Sequence, residues 1–167
     1  MDFAEWTVTV GWQQLQGMLV NDGSGGAAYA PYLPESTDYT VEAEIQVVRV
    51  SEGFEGGAFG IFVRDGEALG QMSLNAYASG WAETRFMEEE ISPDRPTNPD
   101  MNDVEIGDWH IYRLEVRGNT LRLSVDGTVL AEGSHNGLLQ PASGNRVGVF
   151  ADPGIQANVR SFKVIAQ

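Results

Sequence analysis

The chain has no cysteine, which excludes disulfide bridges and thiolate metal sites. Basic residues are scarce. Ten Lys and Arg stand against twenty-four Asp and Glu, giving a net charge of −14. Such a charge repels nucleic acid and anionic membrane surfaces; it suits solubility and tolerates divalent cations. No run is long and apolar enough to insert in a bilayer as a spanning helix. The opening MDFAEWTVTVGW lacks the basic and apolar regions of a signal peptide. Two origins fit that start: a cytosolic product, or a piece of a longer secreted chain. His110 and His135 are the two histidines, and neither lies beside a serine or cysteine in a nucleophile motif. Neither a triad nor a zinc site can be read from them.

Helical periodicity is missing as well, and strand periodicity takes its place. The chain has 167 residues, 42% of them hydrophobic, and 20 glycines. That is a turn-rich globular composition, long enough to bury a core. The stretch WHIYRLEVRGNTLRLSVDGTVLAEG at 109–133 alternates apolar and polar residues, with turn candidates at Gly118-Asn119 and Asp126-Gly127. Both dipeptides supply the positive φ of two-residue hairpins. The first turn sets Leu114 against Leu123 and Glu115 against Arg122. The second sets Val125 against Thr128 and, in the same register, Leu123 against Leu130. The segment reads as a three-stranded meander with one apolar and one solvated face.

Further strands are expected at 6–10, at 12–20 with a break near Gly17, and at 39–50. In the last of these Tyr39, Val41, Ala43, Ile45 and Val47 share one face. GAFGIFVRDG, LGQMSLNAYA and WAETRFM give three more, with Ile61, Met72, Leu74, Ala82, Thr84 and Phe86 inward. NRVGVFAD and NVRSFKVIA close the chain, while 21–38 and 133–144 read mainly as loop. Residues 83–108 hold nine acids, two arginines and three prolines. Proline cannot donate within a central strand, so a long acidic loop is expected near 87–108. With no repeat, the reading is one all-β domain over 1–167, a two-sheet antiparallel sandwich.

The segments W…GWQQLQGMLVNDG, DYTVEAEIQV, GGAFGIFVR, GDWHIYRLEVRGNTLRLSVDGTVLAEG and NRVGVFADPG…VRSFKV together resemble the bacterial concanavalin A-like jelly-roll domains. Among these they resemble most the 3-keto-disaccharide hydrolase domains and the laminin G-like modules. The resemblance covers nearly the whole chain and rests on fold-bearing residues. It implies two packed sheets, the larger one curved, with an outer face that receives glycans or extended peptides. It also implies an extracellular or cell-surface place within a longer bacterial protein, and it makes structural calcium a cofactor to consider.

The glucanases of this superfold carry paired carboxylates as E-x-D-x-x-E on one strand face. That motif is absent here. Glu42 and Glu44 share a face, but without its flanking pattern, and read as an exposed polar strand surface. NPDMND at 98–103 begins like a calcium loop, yet Asp103 stands where glycine is needed and Trp109 where glutamate is needed. The stronger constellation is the outer face of three successive strands, with Arg64, Asn75, Tyr77, Trp81, Glu83 and Arg85 as ligand-binding candidates, beside Phe62 and Ser73. Flat aromatics suit the C–H faces of sugars, and planar polar groups suit paired hydroxyls. The leading expectation is a non-catalytic carbohydrate-binding or adhesive module whose partner is a glycan. A glycoside-cleaving domain is the alternative, and a structural spacer the third reading.

Overall fold

The computed structural model describes residues 3–31, 34–54, 56–74, 80–92, 104–142 and 144–167. Fourteen strands carry it: β1 (Thr7–Val8), β2 (Trp12–Leu15), β3 (Met18–Asp22), β4 (Gly26–Tyr29), β5 (Tyr39–Val50), β6 (Phe59–Val63), β7 (Ala68–Ser73), β8 (Trp81–Phe86), β9 (Glu89–Glu90), β10 (Trp109–Arg117), β11 (Thr120–Val125), β12 (Thr128–Ser134), β13 (Gly148–Ala151) and β14 (Ile155–Ala166). They form two antiparallel seven-stranded sheets. The first runs β1-β4-β13-β6-β7-β8-β9 and the second β12-β11-β10-β5-β14-β3-β2. The fold is thus the expected jelly-roll sandwich.

Alternation fixes which face of each strand is buried. Val41, Ala43, Ile45 and Val47 of β5 lie inward, as do Tyr112, Leu114 and Val116 of β10. Ile61 and Val63 of β6 and Met72 of β7 meet them from the first sheet. The sheets approach closely at Gly70, where a Cβ would lie 2.8 Å from Leu114 Cδ1. Leu114 and Leu123 are themselves fully buried, so truncating either to alanine should cost about 2–5 kcal/mol. Edge-on aromatic contacts tie the layers: Phe59 meets Tyr112 with ring centroids 5.5 Å apart, and Trp6 meets Phe162 at 4.8 Å. Burial pushes the Tyr112 phenol pKa well up.

The first half of the meander has the derived register, with Tyr112 opposite Val125, Leu114 opposite Leu123 and Glu115 opposite Arg122. The Asp126-Gly127 turn also forms, with φ of 50° and 84°, and Val125 faces Thr128. The expected pairing of Leu123 with Leu130 does not. A bulge between Leu123 and Ser124 sets Ser124 against Val129 and Leu123 against Ala131. A bulge lets two successive side chains escape strict alternation, and both Leu130 and Ala131 are buried.

Four further expectations are corrected. Residues 6–10 give a strand only at Thr7–Val8, and β4 falls inside the expected 21–38 loop. Residues 12–20 fold as the hairpin β2–β3 around Gln16 and Gly17, both at positive φ. Inside the acidic segment Glu89 and Glu90 form β9 and pair with Phe86 and Arg85 of β8. The rest of that loop, 93–103, lies outside the described residues, and so does NPDMND. Among the described residues no three His, Asp or Glu side chains gather as a metal site, and no helix is long and apolar enough to cross a membrane.

Candidate functional site: the recessed outer face of the first sheet

The register of β4, β13, β6, β7 and β8 builds two rows of outward-facing residues. One row is Ala27, Phe150, Gly60, Gln71 and Glu83; the other is Tyr29, Gly148, Phe62, Leu69 and Arg85. Ser73 and Trp81 face each other one step beyond. The strands alternate here as they do elsewhere, so these side chains point away from the core. Several are nevertheless buried: Phe62 is 4% exposed, Gln71 9%, Ser73 1% and Glu83 3%. An outward-facing residue this enclosed sits at the bottom of a depression.

Two glycines shape the floor. At Gly60 a Cβ would lie 2.2 Å from the Gly70 carbonyl oxygen, so no larger residue fits there. The row therefore lacks a side chain between half-buried Phe150 and Gln71. Glycine within a strand marks such points of close backbone approach. At Gly148 a Cβ would strike the Phe62 ring at 2.6 Å, because that ring lies across the glycine. Phe62 in turn meets Tyr29 edge-on at 5.0 Å, and the Arg146 guanidinium covers Tyr29 at 4.4 Å.

The polar centre is Glu83. Its Oε1 accepts hydrogen bonds from Gln71 Nε2, directly opposite on β7, and from Arg85 Nη1 at 3.0 Å. Arg85 Nη2 donates to the carbonyl of Glu88, which fixes the guanidinium from its other side. A buried carboxylate needs such bonds to remain charged without a large penalty. The result is a preoriented acceptor flanked by an amide, a guanidinium and the half-buried ring of Trp81.

The structure thus brings Trp81, Glu83 and Arg85 together on one face, with Phe62 and Ser73. Asn75 and Tyr77 lie outside the described residues. Arg64 does not join them, which corrects the alternation reading. Strand β6 ends at Val63, and Arg64 follows it at a φ of 57°. Its guanidinium instead donates to the carbonyls of Gly137, Leu138 and Gln140, pairs with Glu67 at 3.2 Å, and lies over the Phe86 ring. The sequence reading missed Gln71, Gly60 and Phe150. Gln71 could have been found by extending the β7 alternation back two residues from Ser73. Phe150 needed the pairing of β13 with β6, which links residues 90 positions apart.

The other carboxylate pair and the histidines settle elsewhere. Glu42 bonds Lys163 at 3.0 Å and Glu44 bonds Arg160, both on the outer face of the second sheet. The pair is thus a polar strand surface as expected, though both carboxylates are half-buried rather than exposed. His110 is buried at a strand end, its Nδ1 2.7 Å from Asp126 Oδ2. His135 stacks on Phe86, and its Nδ1 accepts the Gly137 N–H at 3.0 Å, starting the short 3₁₀ turn Asn136–Leu139 within the expected 133–144 loop.

No described protein family and no curated protein matches this sequence. Solved structures match along almost its full length. Carbohydrate binding module CBM66 from Bacillus subtilis aligns over 97% of this chain and 96% of its own, at 14% identity and a TM-score of 0.66. The exoplasmic/lumenal domain of VIP36, in a Ca²⁺/Man-bound form, aligns over 98% and 83%, at 9% identity and 0.69. An alginate lyase from Pseudomonas aeruginosa aligns over the whole of both chains, at 14% identity and 0.62. Identities this low speak for architecture alone, and that architecture is the concanavalin A-like jelly roll.

Proposed function

We propose that this domain is a non-catalytic carbohydrate-binding module of a bacterial surface or secreted protein. It receives a glycan on the outer face of the first sheet. The observation that carries the reading is the recessed cluster of Glu83, Gln71 and Arg85 beside Trp81 and the bare floor at Gly60. A sugar ring offers hydroxyl donors to the Glu83 carboxylate, acceptors to Arg85, and a C–H face to Trp81. Asn75 and Tyr77 are proposed as further contacts from their place on the same alternating segment. Arg64 is left out, since its guanidinium is committed to the 137–140 turn.

The carbohydrate binding module and the Ca²⁺/Man-bound VIP36 domain among the structural neighbours agree with this reading at the level of fold. A glycan array on the parent protein, run with and without calcium, tests it. Trp81→Ala should weaken whichever glycan the array selects while leaving the fold intact. A variant that binds normally would remove this face as the site. Calcium-dependent binding would support a structural ion, and its absence would remove calcium from the account.

A further inference from the structure

A second concavity lies at the end of the sandwich, where β6 ends and β5 begins. It is a cleft of about 540 Å³ between residues 34–39 and residues 138–142 with Asn145, and Arg64 and Val116 stand in its wall. That volume falls within the usual range for small-molecule sites. Its walls are held in place from both sides. Arg64 clamps the 137–140 segment through three carbonyls, and Asp38 Oδ1 accepts the Gly118 N–H at 2.9 Å. Arg64 and Asp65 both adopt φ of 57°, an unfavourable conformation for residues other than glycine. Asp65 is kept there by accepting the Arg146 N–H at 2.9 Å and bonding the Arg146 guanidinium. Backbone strain of this kind persists where surroundings over-determine it, and it clusters at ligand clamps.

The cleft also holds polar groups that its fold does not use. Arg64 is 7% exposed and its buried Nε–H has no partner. Gln140 and Asn145 are exposed and line the cleft, where their side-chain amides are open to a ligand. Buried Tyr39 carries a phenol whose pKa desolvation pushes up to about 12, against the opposing pull of Arg64, so it keeps its O–H throughout neutral conditions. Beside these groups Leu139 is left 61% exposed. The charge balance excludes anions: Glu35 and Asp38 line the cleft, and the Arg64 charge is already matched by Glu67.

We propose that this cleft is a second binding site, distinct from the recessed sheet face, and that it takes a neutral polyhydroxylated ligand, a single sugar ring or the end of a glycan chain. Its hydroxyls bond the side-chain amides of Gln140 and Asn145, and its C–H face lies on Leu139.

Two-dimensional ¹⁵N–¹H spectra of the full chain, titrated with methyl glucoside, methyl galactoside, methyl mannoside and glucuronate, test it. At least one neutral glycoside should shift the amides of Thr37, Asp38, Gly118 and Leu139 saturably, in the millimolar range. Asn145→Ala combined with Gln140→Ala should weaken that binding about tenfold or more, with an unchanged melting temperature, and Trp81→Ala should leave it intact. Glucuronate should bind at least about tenfold more weakly. If the double variant unfolds, the parent's shift map alone decides. The proposal is overturned if no neutral glycoside saturates those amides, if the shifts survive the double variant, or if glucuronate binds as tightly. Shifts confined to the Trp81 face would also overturn it, while supporting the first site.

Discussion

The outer faces of the two sheets are built from the same strand alternation and differ in what surrounds it. On the second sheet, charged side chains stand in solvent and satisfy one another. Arg122 bonds Glu132 and lies 3.7 Å from Glu115, Lys163 bonds Glu42, and Arg160 bonds Glu44 while covering the Trp109 ring at 4.4 Å. On the first sheet, Glu83 is 3% exposed and is held by an amide and one guanidinium. Water screens the first kind of pair and reaches the second poorly. A polar alternating strand is therefore a solvated surface in one place and a preorganised depression in the other, and the neighbouring strands decide which.

The widest separation between the faces should appear on removing one carboxylate from each. Glu83→Ala leaves Gln71 and Arg85 with an unmatched buried environment and should cost about 2–3 kcal/mol in chemical denaturation. Glu42→Ala, which removes the half-buried partner of the exposed Lys163, should cost less than about 0.5 kcal/mol. Equal losses would erase the contrast.

Alkali probes the buried end of the sandwich. The Tyr39 phenol is raised from 10.0 to about 12 by burial. Its contribution is complete below pH 10 and is lost as pH rises from 10 through 12, because only the unfolded chain then releases the proton. The loss is about 2.7 kcal/mol. Buried Tyr112 adds to the same decline. Tyr39→Phe should therefore flatten the stability profile above pH 10 in part, and an unaltered slope would place the phenol in solvent.

Trp81→Ala follows in size. Loss of one stacked ring should weaken glycan affinity about tenfold, roughly 1.4 kcal/mol, with a modest change in melting. A large melting decrease with normal binding would make Trp81 a core residue. The smallest effect belongs to acid on the second sheet. The Arg160 hydrogen bond lowers the Glu44 pKa below its ordinary value of 4.5. Its contribution is present above pH 4.5 and fades as pH falls through the lowered value. Glu44→Gln should alter the acid limb only slightly, and a marked shift would mean the pair is more shielded than its exposure indicates.

Much of the architecture was legible because period-two alternation and turn chemistry are local. The Gly118-Asn119 turn fixed β10 to β11 residue by residue, and the Asp126-Gly127 turn fixed only the first pairs of β11 with β12. The Leu123–Ser124 bulge was not legible, since either register buries a leucine. Strand β4, with sequence GAAY, has Tyr29 as its one strand-favouring residue beside a glycine and two alanines, and it is ordered by pairing with β1 and β13. At the site, alternation correctly grouped Trp81, Glu83 and Arg85. It failed at Arg64 because a positive φ after Val63 turns that side chain out of the strand pattern. It was silent on Phe150 and Gly60 because their neighbourhood comes from long-range pairing.

The central claim is that ligand meets the recessed face and not the charged one. Titrating the ¹⁵N-labelled parent with the glycan chosen by the array, and mapping the amides that shift, addresses it directly. The account predicts saturable shifts along β6, β7 and β8, centred on Gln71, Trp81 and Glu83, and none at Glu42, Glu44 or Arg122. Shifts concentrated on β5, β11 and β14, with the first sheet silent, would contradict it.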